Sequence, residues 1–249
     1  GSGTKSVFAG SNYSLNNLTA NTSYCVYVRS ICGIGDTSYW FEPYCFSTQC
    51  LDVFAPYAQN FDSTSLSQMP PCWHATPTDY YTVAVVDATD GGLIPIPSLP
   101  QCLEINNGTA PVIAVTPPFG DLSSGLNQIR VKVAFEQNTT NYLDTLFIGT
   151  MLNPLDMNSY KILGYCDVKN NSGTFEELTF ELVDTTLIGN NKHIVFMYDK
   201  TPSTNFEYYI DDFYYEPIKC LRPTQFKILS DSCQSVNLAW NNSSASNSI

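Results

Sequence analysis

An all-β, antiparallel sandwich is the fold this sequence predicts, and three observations predict it. Thr, Ser, Asn, Val, Tyr and Phe dominate while Ala, Glu, Lys and Arg are scarce, which is strand and turn chemistry. Short segments of apolar/polar alternation recur, with no stretch of helical period. Turn signals separate them at Gly91-Gly92, Asn107-Gly108, Pro117-Pro118, Asn153-Pro154, 170–173 and 189–191. A chain of 249 residues, 43% of them hydrophobic, is long enough for one or two domains with a real core.

The first clean alternation sets Tyr24, Val26 and Val28 against Cys25, Tyr27 and Arg29. A turn at Gly33-Ile34-Gly35-Asp36 and a second strand over 39–48 follow, which reads as a hairpin with one buried face. Tyr24, placed at a strand start behind Leu18-Thr19-Ala20-Asn21-Thr22-Ser23, resembles the tyrosine corner of Greek-key sandwiches. The Gly- and Pro-rich segment 87–100 reads as a long loop. Ile129, Val131, Val133 and Phe135 then alternate with Arg130, Lys132 and Ala134, and Leu178, Phe180 and Leu182 with Glu177, Thr179 and Glu181. Further strands are expected over 145–151, 160–166, 193–198 and 206–215. From Cys220 onward, 223–229 and 235–240 read as two strands, and the polar tail 241–249 has almost nothing to bury.

Charge and cysteine usage narrow the class. With 23 Asp+Glu against 11 Lys+Arg, a net charge of -12 leaves little to neutralise phosphates, so a nucleic-acid partner is excluded. No uninterrupted apolar stretch is long enough for a transmembrane helix, so no membrane insertion is expected. No signal peptide is visible, so the chain is read as mature or excised, with Gly1-Ser2-Gly3 as a cloning remnant. Nine Cys in a Tyr-rich, Lys-poor chain point to an oxidising, extracellular compartment, and the odd count implies a free thiol or a partner outside the sequence. If the first hairpin turns near Gly35, Cys25 and Cys45 fall opposite each other on its outer face and can form a cross-strand disulfide. Cys72 and Cys102 flank the long loop beside Pro-rich turns and are the second expected pair, whereas Cys50, Cys166 and Cys233 have no assignment.

Catalytic signals are thin. The two histidines are His74 and His193. His74 shares a strand face with Cys72, but a Cys/His dyad needs a third, orienting group, so Cys72 reads as a disulfide partner and His193 as a strand-boundary residue. There is no nucleophile elbow, Walker loop or His-Glu-x-x-His, nothing singles out a glycosidase pair of carboxylates, and no paired Cys-x-x-Cys exists for zinc. No enzyme activity is expected. A sugar-binding face would need flat aromatics, and Tyr80, Tyr81, Tyr142, Tyr160, Tyr165, Tyr208, Tyr209, Tyr214 and Tyr215 supply them. The plainer reading is that alternate tyrosines pack inside the sandwich. The sequons at Asn12, Asn17, Asn21, Asn107, Asn138, Asn170, Asn241 and Asn242 serve as markers of surface loops.

Two stretches resemble known families. The segment from Leu18 through Tyr24-Cys25-Val26-Tyr27-Val28-Arg29 to Gly33, closed by Phe46-Ser47-Thr48-Gln49-Cys50, resembles the second half of a fibronectin type III module. Cys220-Leu221-Arg222-Pro223 and Val236-Asn237-Leu238-Ala239-Trp240 resemble the first half of another. Between them, five motifs in order resemble the MAM-like jelly-roll of the gingipain cleaved-adhesin and choice-of-anchor families. They are Phe61-Asp62, Met69-Pro70-Pro71-Cys72-Trp73, Val115-Thr116-Pro117-Pro118-Phe119, Phe147-Ile148-Gly149-Thr150-Met151 with Asn153-Pro154, and Tyr209-Ile210-Asp211-Asp212-Phe213. The resemblance implies a jelly-roll at 51–219 flanked by partial modules at 1–50 and 220–249, in a secreted or surface-anchored bacterial protein. Cys32 and Cys220 then occupy matching places in the two partial modules, with partners outside this chain.

The resemblance also implies a structural calcium, and the residues allow a site. Asp211 and Asp212 interrupt an aromatic strand; successive side chains alternate faces, so one of them points inward or to the rim, where an unpaired carboxylate is costly. Asp62 in the opening strand is the natural second carboxylate, with Asp87 and Asp90 as weaker additions. Calcium takes roughly six to eight oxygens. The competing reading is that Asp211 and Asp212 accept hydrogen bonds from backbone and Tyr hydroxyls. The leading functional expectation is a non-catalytic adhesion or ligand-binding module. Its partner would be a host or matrix protein or a glycan, with neighbouring modules of its own chain alongside. An accessory domain of a secreted hydrolase or peptidase and a plain spacer are the alternatives. The half-modules, each with open edges, could also complete one another by strand donation, against the plain alternative of truncation with disorder.

Overall fold

The computed structural model describes residues 4–76, 82–87, 96–106, 111–137, 145–166, 174–198, 206–220 and 224–241. Tyr80, Tyr81, Asp90, Gly91-Gly92, Asn107-Gly108, Asn138, Tyr142, Asn170 and Asn242 from the sequence reading lie outside the described residues. The chain forms two compact units, Gly1–Leu51 and Asp52–Ile249.

In the first unit β1 (Ser23–Val26) pairs antiparallel with the later β4 (Tyr44–Ser47), and their register sets Cys25 against Cys45. The two form a disulfide, as the hairpin reading expects. The second strand is shorter than 39–48. Near the turn β2 (Ile31–Gly33) and β3 (Asp36–Thr37) make a ribbon of their own around Gly35, whose φ of 79° suits glycine. Beyond it only isolated bonds continue the pairing, such as Phe41 N–H to Val28 C=O at 2.8 Å. Pro43 has no N–H to extend the ladder. Thr19 N–H donates to the Tyr24 hydroxyl at 2.8 Å, which is the corner contact the spacing predicts. None of the described residues 4–51 is fully buried.

The second unit is the sandwich. Its strands are β5 (Tyr57–Gln59), β6 (His74–Thr76), β7 (Val83–Asp87), β8 (Gln101–Ile105), β9 (Val112–Val115), β10 (Asn127–Gln137), β11 (Leu146–Met151), β12 (Lys161–Cys166), β13 (Glu176–Glu181), β14 (His193–Tyr198) and β15 (Phe206–Pro217). One sheet runs β13-β10-β15-β8-β7 with β5 also on β15; the other runs β12-β11-β14-β9-β6. Every pairing between these strands is antiparallel. Ile129, Val131, Val133 and Phe135 from one sheet, and Val112, Ala114, Ile194, Phe196 and Tyr198 from the other, fill the space between. One aromatic cluster dominates that core. Phe213 sits edge-on to Tyr57, Trp73 and Phe196 with centroids 5.5–6.2 Å away, and Trp73 Nε1–H donates to Tyr57 Oη at 3.0 Å. The last described strands, β16 (Thr224–Asp231) and β17 (Val236–Asn241), form a separate two-stranded hairpin.

Three expectations are corrected. Cys72 is disulfide-bonded, as is Cys50, whereas Cys102 is a free, buried thiol, so Cys72 and Cys102 are not a pair. The reason is topological: Cys72 leads into β6 of the five-stranded sheet, while Cys102 lies in β8 of the six-stranded one. Asp87 does not open a loop but closes β7; residues 96–100 are irregular, and 88–95 lie outside the described residues. Among the described residues one short α-helical turn, α1 (Thr185–Ile188), is capped by the Asp184 carboxylate on the Thr186 and Leu187 N–H groups, and 3-10 turns occur at Leu122–Ser124 and Met157–Ser159. The strands β5 to β9, unread in the sequence, are short, and β7 and β9 are buried on both faces, which erases alternation.

Gly149 of β11 lies under the Tyr160 ring and against the Lys161 carbonyl, so a Cβ there collides with both. Gly149→Ala is expected to cost about 1–3 kcal/mol, because a carbonyl of the paired strand cannot step aside. Urea melts of the variant check this, and an unchanged midpoint contradicts it.

Candidate functional site

Chemistry concentrates on the outer face of the six-stranded sheet, and strand register puts it there. The core side of β10 takes Ile129, Val131 and Val133, so Gln128, Arg130 and Lys132 point outward. Across the ladder Arg130 pairs with Thr179 of β13 and Tyr214 of β15, and Lys132 with Glu177 and Asp211. A bulge between Arg130 and Lys132 inserts one residue into β15, where Asp212 takes φ 47°. That extra residue sends both Asp211 and Asp212 to the polar side while Ile210 and Phe213 stay in the core.

Arg130 is the centre of this face. Its guanidinium reaches Glu177 Oε2 at 3.0 Å and Glu216 Oε1 at 3.2 Å, and lies 4.2 Å from the centroid of the half-exposed Tyr214 ring. The hydrogen bond from Arg130 holds the Glu216 carboxyl below the usual carboxylate range, and the Gln128 side-chain amide donates from Nε2 to Glu216 Oε1 at 3.1 Å. Lys132 Nζ meets Asp212 Oδ2 at 2.8 Å, a bond that raises the ammonium above its ordinary range. Arg130, Lys132 and Glu177 keep 30%, 31% and 47% of their side chains exposed, so these pairs order the face more than they stabilise the fold.

Asp211 behaves differently. Strand β8 pairs with β15 over Tyr208–Ile210 and β5 over Phe213–Tyr215, which leaves a gap at the bulge. The segment 96–101 crosses there. Ile96 packs on Val86, Cys102, Ala134 and Tyr209. Ser98 donates its N–H and its hydroxyl to the Asp211 carboxylate, each at 3.0 Å, and Gln101 N–H donates to Asp62 Oδ1 at 3.1 Å. Asp211 is 0% exposed, and its burial pushes the carboxyl up to about 6 against the pull of these hydrogen bonds.

The three carboxylates expected at a calcium site are therefore placed one by one. Asp62 and Asp211 tie down opposite ends of one peptide segment, and Asp212 is neutralised by Lys132. Asp62 follows β5, which does lie beside the last strand of the sheet. Among the described residues no three His, Cys, Asp or Glu side chains gather into a metal site. As placed, these carboxylates accept hydrogen bonds from Ser98, Gln101, Asn60 and Lys132.

The tyrosines divide the same way. Tyr208 and Tyr215 belong to the core, Tyr209 is buried beneath Ile96, Tyr160 is half-buried on Gly149, and Tyr165 is exposed on β12. Of the expected sugar platforms on this sheet, Tyr214 alone is not buried among the described residues, and the Arg130 guanidinium lies over its ring. Arg130 and Ser98 went unread in the sequence. The opposite charges on the polar parities of β10 and β13 could have found Arg130, but nothing local to Ser98 predicts its partner.

The thiols and imidazoles are engaged elsewhere. His193 Nδ1–H donates to the Thr116 carbonyl at 2.7 Å, and burial lowers the pKa of both His193 and His74. Burial pushes the Cys166 thiol up to about 12 and raises that of Cys102 as well, so neither is a ready thiolate.

No protein-family model and no curated protein matches the sequence. Among solved structures, the chain is similar to the K2 cleaved adhesin domain of Lys-gingipain, with TM-score 0.48, 11% identity, and coverage of 65% of this chain and 97% of that one. It is also similar to the K1 cleaved adhesin domain from Porphyromonas gingivalis W83, with TM-score 0.48, 14% identity, and coverage of 66% and 99%. A family 11 carbohydrate-binding module of the cellulosomal cellulase Lic26A-Cel5E of Clostridium thermocellum follows, with TM-score 0.38, 12% identity, and coverage of 66% and 96%. The strand order itself shows the two-sheet antiparallel sandwich expected of 51–219.

Proposed function

We propose that this chain is a non-catalytic adhesion or ligand-binding module of a larger secreted or surface-anchored bacterial protein, and that its ligand class includes glycans. The observation that carries this reading is the Arg130–Tyr214 pair: an aromatic ring and a guanidinium fork 4.2 Å apart, on a half-exposed sheet face lined with carboxylates and an amide. Ring faces pack on the apolar side of a sugar, and forks and carboxylates bond its hydroxyls. A non-catalytic role is supported by the state of the candidate nucleophiles, since Cys72 is locked in a disulfide and the buried thiols resist ionisation. The disulfides support an oxidising compartment. The flanking pieces, 1–50 and 220–249, we read as parts of fibronectin type III modules, a reading supported by the Tyr24–Thr19 corner contact.

A glycan array followed by calorimetry tests the proposal. Tyr214→Ala and Arg130→Ala are each expected to weaken binding at least about tenfold, about 1.4 kcal/mol, with unchanged circular dichroism. A silent array, or binding indifferent to both substitutions, overturns it and leaves the spacer reading.

A further inference from the structure

We propose that Arg29 and Trp40, in the first unit, form a binding site for an acidic saccharide, with the sugar carboxylate on the guanidinium and its ring against the indole. The backbone builds the site. Ser38 N–H donates to the Ser30 carbonyl at 3.0 Å and Phe41 N–H to the Val28 carbonyl at 2.8 Å, so both Tyr39 and Trp40 stand opposite the single residue Arg29. An extra residue of this kind re-aims side chains, as β-bulges do. Here it sets Trp40 beneath the Arg29 guanidinium, whose central carbon lies 4.5 Å from the ring centroid, and turns Tyr39 out to 99% exposure. The stack is not core packing. Trp40 keeps 52% of its surface exposed, Tyr27 is exposed as well, and the apolar contact of this small sheet is Tyr24 on Phe46. Rings left in water forgo the gain of burial, which a ligand can supply.

Charge then selects the ligand. Arg130, Lys132 and Lys192 each bond a carboxylate. Arg29 bonds none among the described residues: its Nη1–H donates to the neutral Thr37 hydroxyl at 3.3 Å, and neither Asp36 nor Glu42 forms an ion pair with it. Its Nε–Nη2 edge is therefore a fork held in place by the indole and the hydroxyl, with no protein acceptor. A carboxylate matches that edge with two parallel hydrogen bonds. The net charge of -12, with Asp36 and Glu42 in the same stretch, repels polyanions, so the ligand brings one carboxylate to one fork. A hexuronate does so on a ring whose C–H face packs on an indole. The inference does not rest on the Arg130–Tyr214 face binding a glycan.

An NMR titration of the full chain with methyl glucuronide tests it. The Trp40 indole N–H and the Arg29 Nε–H should shift saturably. Methyl glucoside, the same ring without the carboxylate, should bind at least about tenfold more weakly, as should acetate, which has the carboxylate without the ring. Arg29→Gln and Trp40→Ala should each weaken binding about tenfold or more while the Val26 and Phe46 amides stay in place. Arg29→Lys keeps the charge but loses the fork, so it should recover only part of the affinity. Tyr214→Ala should leave binding unchanged, which separates this site from the face of the six-stranded sheet. No saturable shift in the unsubstituted chain overturns the proposal. So does equal affinity for methyl glucoside, for acetate or for a blocked Gly-Glu-Gly peptide, binding indifferent to Arg29→Gln or Trp40→Ala, or binding lost in Tyr214→Ala.

Discussion

Phe213→Ala is expected to lower the stability of the sandwich by about 3–5 kcal/mol. Phe213 is 0% exposed and is ringed by Tyr57, Trp73 and Phe196 edge-on, with Phe119 tilted beside it. Truncation removes the transfer energy of a whole ring and leaves a void that the surrounding rigid rings cannot close. Those rings come from β5, β14, the strand-free stretch at Trp73 and the bridge at Phe119, and Phe213 itself from β15, so the void weakens both sheets at once. Equilibrium urea unfolding followed by Trp fluorescence measures the loss. A cost below about 1 kcal/mol would mean that the cluster repacks and that the edge-on geometry contributes little.

Loss of the Cys25–Cys45 disulfide is expected to cost the first unit about 3 kcal/mol, the entropy of closing a loop of this size. The two residues are 20 apart in sequence and directly opposed on β1 and β4. The consequence is larger than the figure implies, because no described residue of 4–51 is fully buried and the four-residue strands have little else to hold them. Hydrogen exchange of a Cys25→Ser/Cys45→Ser double variant should show the Val26 and Phe46 amides unprotected, with β9 and β14 unchanged. Retained protection in β1 would show that the Tyr24–Phe46 ring contact and the ladder suffice without the bond.

Strands β10 and β13 were legible because each presents an apolar face to the core and a polar face outward. Ile129 through Phe135 alternate with Arg130 and Lys132 in the sequence, and the structure puts the first set in the core and the second outside. The cross-strand pair Cys25–Cys45 was legible for the same reason, since a hairpin turn sets register by counting. The Cys72–Cys102 pair was misread because nearness to a shared loop says nothing about which sheet each end enters. Asp211 and Asp212 were rightly marked as anomalous in an aromatic strand. The sequence offered no means of knowing that a bulge would turn both to the polar face, that Lys132 would neutralise one, or that Ser98 would cover the other.

Composition and period-two alternation alone determine that this chain is an antiparallel β protein, where its longer strands run and which of their faces is apolar, because those properties are local to each strand. Tertiary structure alone decides which strands are neighbours. It is the meeting of β5 and β8 on one edge of β15 that opens the gap at Asp211, and the register of β10 against β13 and β15 that brings Glu177, Arg130 and Tyr214 together. Such contacts join residues 47 to 113 positions apart, as between Arg130 and Glu177 or Ser98 and Asp211. Their energies depend on the burial and partners that the assembled sheets create, and no local pattern of residues encodes either.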